Sequence, residues 1–506
     1  MSDFDDRRFY GRIVRMWIPL LLAAALGTRA AAVQQQFDRH DAKRMVPMLL
    51  EVLRFPTVQG NDEARKAQNA WLEKTARELG FEYRGAGLVS EIELPGPPGA
   101  PVLGLMVHGD VQPADAAAWS FPPFAPKAER GFVYGRGAAD DKGPLVQALL
   151  AMHALRASGI KRTHTVRLLV GSDEESDNKD VKTYLETHKP PDYTLVLDSN
   201  FPVVAGEKAW NSLTVAAEMK DRGDDKPYAV AGLDAGLTAS IVPDRAVLVL
   251  RWKSGKPDWA PLQDELLGAK MPDDTRLVAT AFRDVLTITA YGKSAHAGVN
   301  LEGGRNALVA LANAVADQLP EGGAKDLLQF ARMAGQDLYG TGLGITDRDP
   351  LWGRYAVNVA TIKKGVLTIN VRRIPPRAGP QLKEHLEKVV ADFNQRTGAA
   401  LVPGGFYDDE PLAFDPKGKL VRRLLADYGA ATGAKNPKPA ISGGGTYAKR
   451  LPNSIAFGMW FPDKPYPGHD VDEKNPVADL RKGTRVLIRA LVDLAAGPRI
   501  DEPFKP

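Results

Sequence analysis

The residues best suited to chemistry are two histidines and a set of carboxylates that sit where apolar runs end. His108-Gly-Asp110 follows the apolar run 101–107. Residues two apart at the end of a strand can point the same way. An aspartate beside a histidine suits a metal ligand and its orienting partner, because the carboxylate accepts the far imidazole N–H and fixes the tautomer. Alone, a His-x-Asp string is more often a plain turn. Three further segments place carboxylates in comparable positions: Asp140-Asp141, Glu174-Glu175 and Asp198; His469 follows in a late loop. Each has a bland reading beside the chemical one. The aspartate pair precedes a helical pattern and suits a helix N-terminus, where negative charge is favoured. The glutamate pair, taken alone, reads first as a solvated acidic loop. If it is a site, its neighbours point in different directions, so that one can bind a metal while the other faces a metal-bound water.

Composition narrows the options. The chain has 506 residues, enough for two or three domains, and 44% hydrophobic residues, ordinary for a globular protein. With 66 basic and 62 acidic residues the net charge is +4, so no nucleic-acid partner is implied. There is no cysteine. Disulfides, thiolate sites and a cysteine nucleophile are therefore excluded, and any metal must be held by His, Asp and Glu, which suit zinc, manganese or cobalt. At the N-terminus, Arg7, Arg8, Arg12 and Arg15 precede the apolar run 16–26 and then Ala30-Ala31-Ala32. This is the layout of a secretory signal over residues 1–32, too short for a comfortable membrane span. The expectation is a mature chain starting near Val33, exported and periplasmic, with no stable membrane partner once the signal is removed; a retained anchor or a cytosolic helix is the alternative.

The elements that must position these residues follow in order. Residues 33–100 read as a strand and two helices, with helical spacing over 45–55 and 63–79, the latter ended by Gly80. Strands 101–107, 165–172 and 193–198 are buried runs with polar carboxyl ends, separated by helices, including one with Leu145, Leu149, Met152 and Leu155 on one face. That pattern is an open α/β sheet, whose ligands gather at the strand carboxyl ends. From Ala209 the pattern changes to strands (246–252, 285–291, 365–371) with helices (305–319, 381–393), read as an inserted α+β domain over 208–410. The first domain, 33–207, then resumes over 411–506 with a helix at 420–428, a strand at 454–461 and a last helix at 479–496.

Taken together, these strings resemble the M20 family of metallopeptidases. His108-Gly-Asp110, Gly135-Arg-Gly-Ala-Ala-Asp-Asp-Lys-Gly143, Glu174-Glu175, Asp198 and His469 occur in that family's order. Asp198-Ser-Asn-Phe-Pro202, Gly206-Glu-Lys208, Gly443-Gly-Gly-Thr-Tyr447 and His469-Asp-Val-Asp-Glu473 point to the bacterial dipeptidase branch with the PepV and carnosinase-like enzymes. The resemblance implies a mixed open-sheet catalytic domain with an inserted α+β lid. It implies two divalent ions, zinc first, with manganese or cobalt as alternatives. His108 and Asp198 would hold one ion and Glu175 and His469 the other, with Asp140 bridging. Glu174 would be the general base and Asp110 the residue orienting His108. His296, in Tyr291-Gly-Lys-Ser-Ala-His296, resembles the lid histidine. Arg372 resembles the arginine that grips the substrate carboxylate, with Arg373 beside it leaving that assignment open. Gly444 and Thr446 would add donors to the substrate. Ala209-Trp210 departs from the glycine usual after Gly-Glu-Lys. The implied activity is hydrolysis of dipeptides with a free C-terminal carboxylate; a related N-acyl-amino-acid deacylase or carboxypeptidase is the alternative. The partner would be a small peptide substrate, and the protein a monomer or homodimer.

Overall fold

The computed structural model describes residues 25–223, 226–498 and 500. Residues 1–24, which hold the charged start and most of the apolar run of the expected export signal, lie outside the described residues. Residues 25–36 are helical, so the expected mature start at Val33 falls within a helix. Ala30 and Val33 on this helix are buried with Phe37 in the core of the first domain. Among the described residues no helix is long and apolar enough to cross a membrane.

The first domain is built on a six-stranded sheet. Its spatial order is Glu82–Ala86, Val89–Leu94, Thr165–Gly171, Val102–His108, Tyr193–Val196 and Ser454–Ala456. The first two strands form an antiparallel hairpin and join the third antiparallel; the remaining pairings are parallel. Alternation along Val102–His108 explains how both faces are covered. Leu103, Leu105 and Val107 enter the core shared with helices Lys142–Ala157 and Val477–Ala496, whereas Met106 packs with Val181 and Tyr184 of helix Lys179–Thr187. Helix Lys142–Ala157 is buried along nearly its whole length, so it lacks the polar stripe of a surface helix. Asn61 caps helix Asp62–Glu78 by accepting from the Ala64 N–H at 3.2 Å.

The inserted domain carries an eight-stranded antiparallel sheet in the order Arg276–Phe282, Val285–Tyr291, Arg245–Trp252, Tyr228–Ala235, Ala356–Lys363, Val366–Arg373, Ala209–Ala216 and Val402–Asp409. Helices Ala307–Val315, Gly323–Ala334 and Gly379–Thr397 bury one face of it. In Ala209–Ala216, Asn211, Leu213 and Val215 are buried, while Trp210, Ser212 and Thr214 alternate with them as half-buried residues. Tyr228–Ala235 and Val402–Asp409 had no strand signal, being interrupted by glycine or proline and partly exposed.

Three expectations change. The segment 454–461 is not one strand: Gly458, at φ +73°, breaks it into Ser454–Ala456 and Met459–Trp460, the latter pairing with Ser199–Asn200. The one strand expected beside the two helices of 33–100 is a hairpin of Glu82–Ala86 and Val89–Leu94, turning at Gly87 with φ +68°. Asp141 precedes helix Lys142–Ala157 but makes no side-chain cap; its carboxylate accepts the His108 N–H at 3.1 Å.

Candidate active site

The sheet order sets neighbouring strand ends side by side. Thr165–Gly171, Val102–His108 and Tyr193–Val196 are adjacent and parallel, so the segments that follow them deliver Glu174-Glu175, His108 and Asp198 to one edge. Asp140 comes from the turn before helix Lys142–Ala157, and His469 from the loop before Lys474–Pro476. His469 holds φ +66°. A left-handed conformation at a non-glycine residue costs about 1–2 kcal/mol and persists where surroundings impose it.

Asp140 stands between the two imidazoles. Its Oδ1 lies 2.9 Å from His108 Nε2, and its Oδ2 lies 3.1 Å from His469 Nε2. Asp198 Oδ2 is 3.8 Å from His108 Nε2, and both oxygens of Glu175 lie 3.0–3.1 Å from His469 Nε2. His108, Asp140 and His469 are nearly fully buried, and the Glu175 and Asp198 side chains are only 10% and 12% exposed. Ligand atoms of His108, Glu174 and Asp198, and of His108, Asp140 and Glu175, fall within 4.8 Å of one another.

The electrostatics follow from crowding carboxylates away from water. Burial pushes Asp198 and Glu174 well above the usual carboxylate range, and neighbouring acidic groups push the same way. Burial opposes charge on His108, yet Asp110 and Asp140 raise it well above its ordinary value. His469 is likewise raised to about 10 against burial, by Glu175 and Asp140. The site thus calls for positive charge. Two imidazoles and three carboxylates are a nitrogen and oxygen donor set, which fits hard or borderline divalent cations.

Asp110 acts differently from the expectation. Its backbone carbonyl, not its carboxylate, takes His108 Nδ1–H at 2.9 Å; the carboxylate is 3.6 Å away, beyond a hydrogen bond. That carboxylate instead accepts the N–H groups of Glu174 (3.2 Å) and Glu175 (3.0 Å) and so sets the glutamate turn. Gln112 Nε2 donates to Glu175 Oε2 at 3.0 Å, whereas no hydrogen bond from a described residue occupies the Glu174 carboxylate. The sequence reasoning missed a second organiser, buried Glu473. It accepts from the backbone N–H groups of Gly137, Ala139 and Asp140 and from Arg136 Nη1 at 2.8–3.2 Å, tying the Asp140 turn to the His469 loop. The only signal for it was its place in the string after His469.

The inserted domain brings His296 and Arg372 to the same place. The His296 ring stacks on His469, centroids 4.5 Å apart and planes 24° apart. His296 Nδ1 accepts the N–H groups of Gly298 (3.0 Å) and Val299 (3.1 Å), which places the ring proton on Nε2. Burial, then the cationic neighbours His469 and Arg372, hold this imidazole neutral, well below its ordinary pKa. Arg372 and Arg373 part company on opposite faces of their strand. Arg373 is committed to Asn211, Asp408 and Glu410. Arg372 Nε donates to Asn370 Oδ1 at 2.9 Å, and the residue lines a cavity of about 410 Å³ beside Glu174, Glu175 and His469. Burial lowers Arg372 to about 9, with Asp409 and Glu174 opposing, so it stays cationic at neutral pH.

The 443–446 turn lines the cavity, but its donors are largely engaged. Gly444 N–H donates to Ser442 Oγ at 3.0 Å. Thr446 donates through N–H (3.0 Å) and Oγ1 (2.7 Å) to buried Glu207. Thr446 therefore shapes the wall and is not a free donor, and Glu207 is its unforeseen anchor. The glycines serve close approach: Gly443 meets the Gly298 backbone so tightly that a Cβ on either would overlap the other's carbonyl.

Comparison with known proteins fits this arrangement. Residues 104–493 match the model of peptidase family M20/M25/M40. The putative dipeptidase YtjP of Bacillus subtilis is 28% identical over 403 residues, covering 78% of this chain and 84% of that protein. The beta-Ala-Xaa dipeptidase of Lactobacillus delbrueckii subsp. lactis is 28% identical over 404 residues, covering 78% and 82%. Among solved structures, the di-peptidase Dug1p of Saccharomyces cerevisiae aligns with TM-score 0.55 at 15% identity, over 91% of this chain and 98% of that one. Human carnosine dipeptidase 1 aligns with TM-score 0.54 at 15% identity, over 91% and 97%. At such identity the structures speak for the fold, a mixed α/β catalytic domain with a lid. With the family model spanning most of the chain and both of its domains, the protein belongs to peptidase family M20/M25/M40 and is a hydrolase, a metallopeptidase.

Proposed function

We propose that this protein is a dipeptidase that hydrolyses dipeptides with a free C-terminal carboxylate, using two divalent ions, zinc first. The observation that carries it is the Asp140 carboxylate placed between His108 and His469, one oxygen to each. His108 and Asp198 would hold one ion, Glu175 and His469 the other, and Asp140 both. When bound, the ions polarise the scissile carbonyl and lower the pKa of a water. Glu174, whose carboxylate no described residue engages, takes the water's proton and delivers it to the leaving amine. Its burial supports the task, because a raised pKa brings a carboxylate nearer to neutral. His296 offers Nε2–H to the developing oxyanion, held in that tautomer by the Gly298 and Val299 N–H groups. Arg372 pairs with the substrate carboxylate. Asp110 and Glu473 position the groups that act.

His296 reaches His469 within one chain, so the reading does not require a second copy to complete the site. The test is hydrolysis of a free dipeptide, its C-terminal amide and an N-acetyl amino acid by metal-stripped enzyme reloaded with zinc, manganese or cobalt. Two ions per chain, and turnover of the free dipeptide above the other two substrates, are expected. Preference for the N-acetyl amino acid would instead make it a deacylase. We also propose export to the periplasm, motivated by the arginine-led apolar run and the alanines that follow it.

A further inference from the structure

The cavity beside Arg372 has a wall whose role the reaction leaves open. Cross-strand register fixes its composition. Trp210 lies directly opposite Arg372 on one neighbouring strand and opposite Asp409 on the other, and Ser212 lies opposite Tyr407. Directly opposed residues of antiparallel strands project on the same face. The row Asp409–Trp210–Arg372 and, beside it, Tyr407 therefore share the sheet face away from the helices, and all four line the cavity with Glu174 and His469.

The two aromatic rings meet edge to face, centroids 5.3 Å apart and planes at 81°. The Arg372 guanidinium lies 5.7 Å from the Trp210 ring centroid. Trp210 Nε1–H is already spent on Ser240 Oγ at 3.2 Å, so the indole offers the cavity an apolar face. Tyr407 is 52% exposed and lines the cavity. The cations nearby are committed: Lys449 and Arg450 to Asp409 at 3.1 and 2.6 Å, and Lys182 to the Asp177 carbonyl at 2.6 Å. An acidic side chain would have to compete with Asp409 and the Asp177 carbonyl for these cations, whereas an aromatic one would find two rings.

We propose that Trp210 and Tyr407 form the subsite for the side chain of the substrate's C-terminal residue and set a preference for an aromatic or large apolar residue there. This rests on the dipeptidase reading and on Arg372 holding the carboxylate of that same residue. Once the carboxylate is fixed, the side chain on the adjacent carbon lies within reach of the ring beneath the guanidinium. Edge-to-face contact and burial of a large ring then favour the bulky residue.

The test compares kcat/KM for alanyl-phenylalanine and alanyl-alanine in the metal-loaded enzyme and in Trp210→Ala, Trp210→Phe and Tyr407→Ala. The wild-type ratio should be at least ~10, the scale on which apolar pockets discriminate. Trp210→Ala should bring it to about 1–3 through KM for alanyl-phenylalanine, Trp210→Phe should restore most of it, and Tyr407→Ala should fall between. Tyr407 is exposed enough for its variant to fold should Trp210→Ala fail to. A wild-type ratio near 1, or variants that lower both substrates alike, overturns the subsite and leaves the dipeptidase reading standing. Hydrolysis of neither dipeptide overturns both.

Discussion

Replacing Arg372 by alanine should separate substrates by the charge at their C-terminus. Arg372 is 2% exposed, its Nε is held by Asn370 Oδ1, and no described residue hydrogen-bonds its two terminal nitrogens. They are the groups left to meet a carboxylate as a fork. Truncating one partner of a buried, hydrogen-bonded charge pair costs about 2–5 kcal/mol. At about 1.36 kcal/mol per tenfold, that is a loss of ~30-fold to several thousand-fold in kcat/KM. The cavity is open to solvent on its outer side, which screens the pair, so the expectation is the lower part of that range, ~100-fold. A C-terminal amide offers only a neutral acceptor to the same nitrogens. Its loss on Arg372→Ala should be that of an ordinary hydrogen bond, about 0.5–1.5 kcal/mol or ~2- to ~12-fold. The assay is a cycle of two enzymes and two substrates, a dipeptide and its amide, at one pH near neutrality. The free dipeptide should lose at least ~10-fold more than the amide. Equal losses would mean that Arg372 only supports the wall, and the carboxylate grip would be wrong.

Glu174→Gln keeps size and removes the proton acceptor, so turnover should fall at least ~100-fold while two ions are still bound; near-native turnover would refute its role. Glu175→Gln should instead lower the metal content, read by elemental analysis. Burial raises Glu207 to about 7, above the ~4.5 of an exposed carboxyl. The stability associated with its neutral form is fully present below about 4.5 and is lost as pH rises through about 7. Glu207→Gln cannot ionise, so its melting temperature should gain on wild type between pH 4.5 and 8; a constant difference would show that Glu207 keeps an ordinary pKa. If export with cleavage is right, mass spectrometry of the native protein should find a start near Val33. An intact start at Met1 or Ser2 in a cytosolic fraction would rule it out.

How much was legible in the chain depended on whether the information was local. Three apolar runs ending in His108, Glu174-Glu175 and Asp198 announced an α/β sheet with chemistry at its strand ends, because period and polarity are written residue by residue. The absence of cysteine restricted any metal to nitrogen and oxygen donors. The lid strands Tyr228–Ala235 and Val402–Asp409 carried no such pattern, since cross-strand pairing stabilises them despite glycine, proline and exposure.

What only the tertiary structure decided were the partners. Arg372 and Arg373 are adjacent in sequence, and strand alternation alone sends one to the cavity and the other to Asp408. The Asp110 carboxylate looked suited to His108, yet the turn geometry hands that imidazole to the Asp110 carbonyl and frees the carboxylate for two backbone N–H groups. Glu207 and Thr446 are far apart in the chain, and both are polar groups that burial obliges to find each other. Which side chain satisfies which buried group depends on distances set by folding, and no spacing in the sequence encodes those distances.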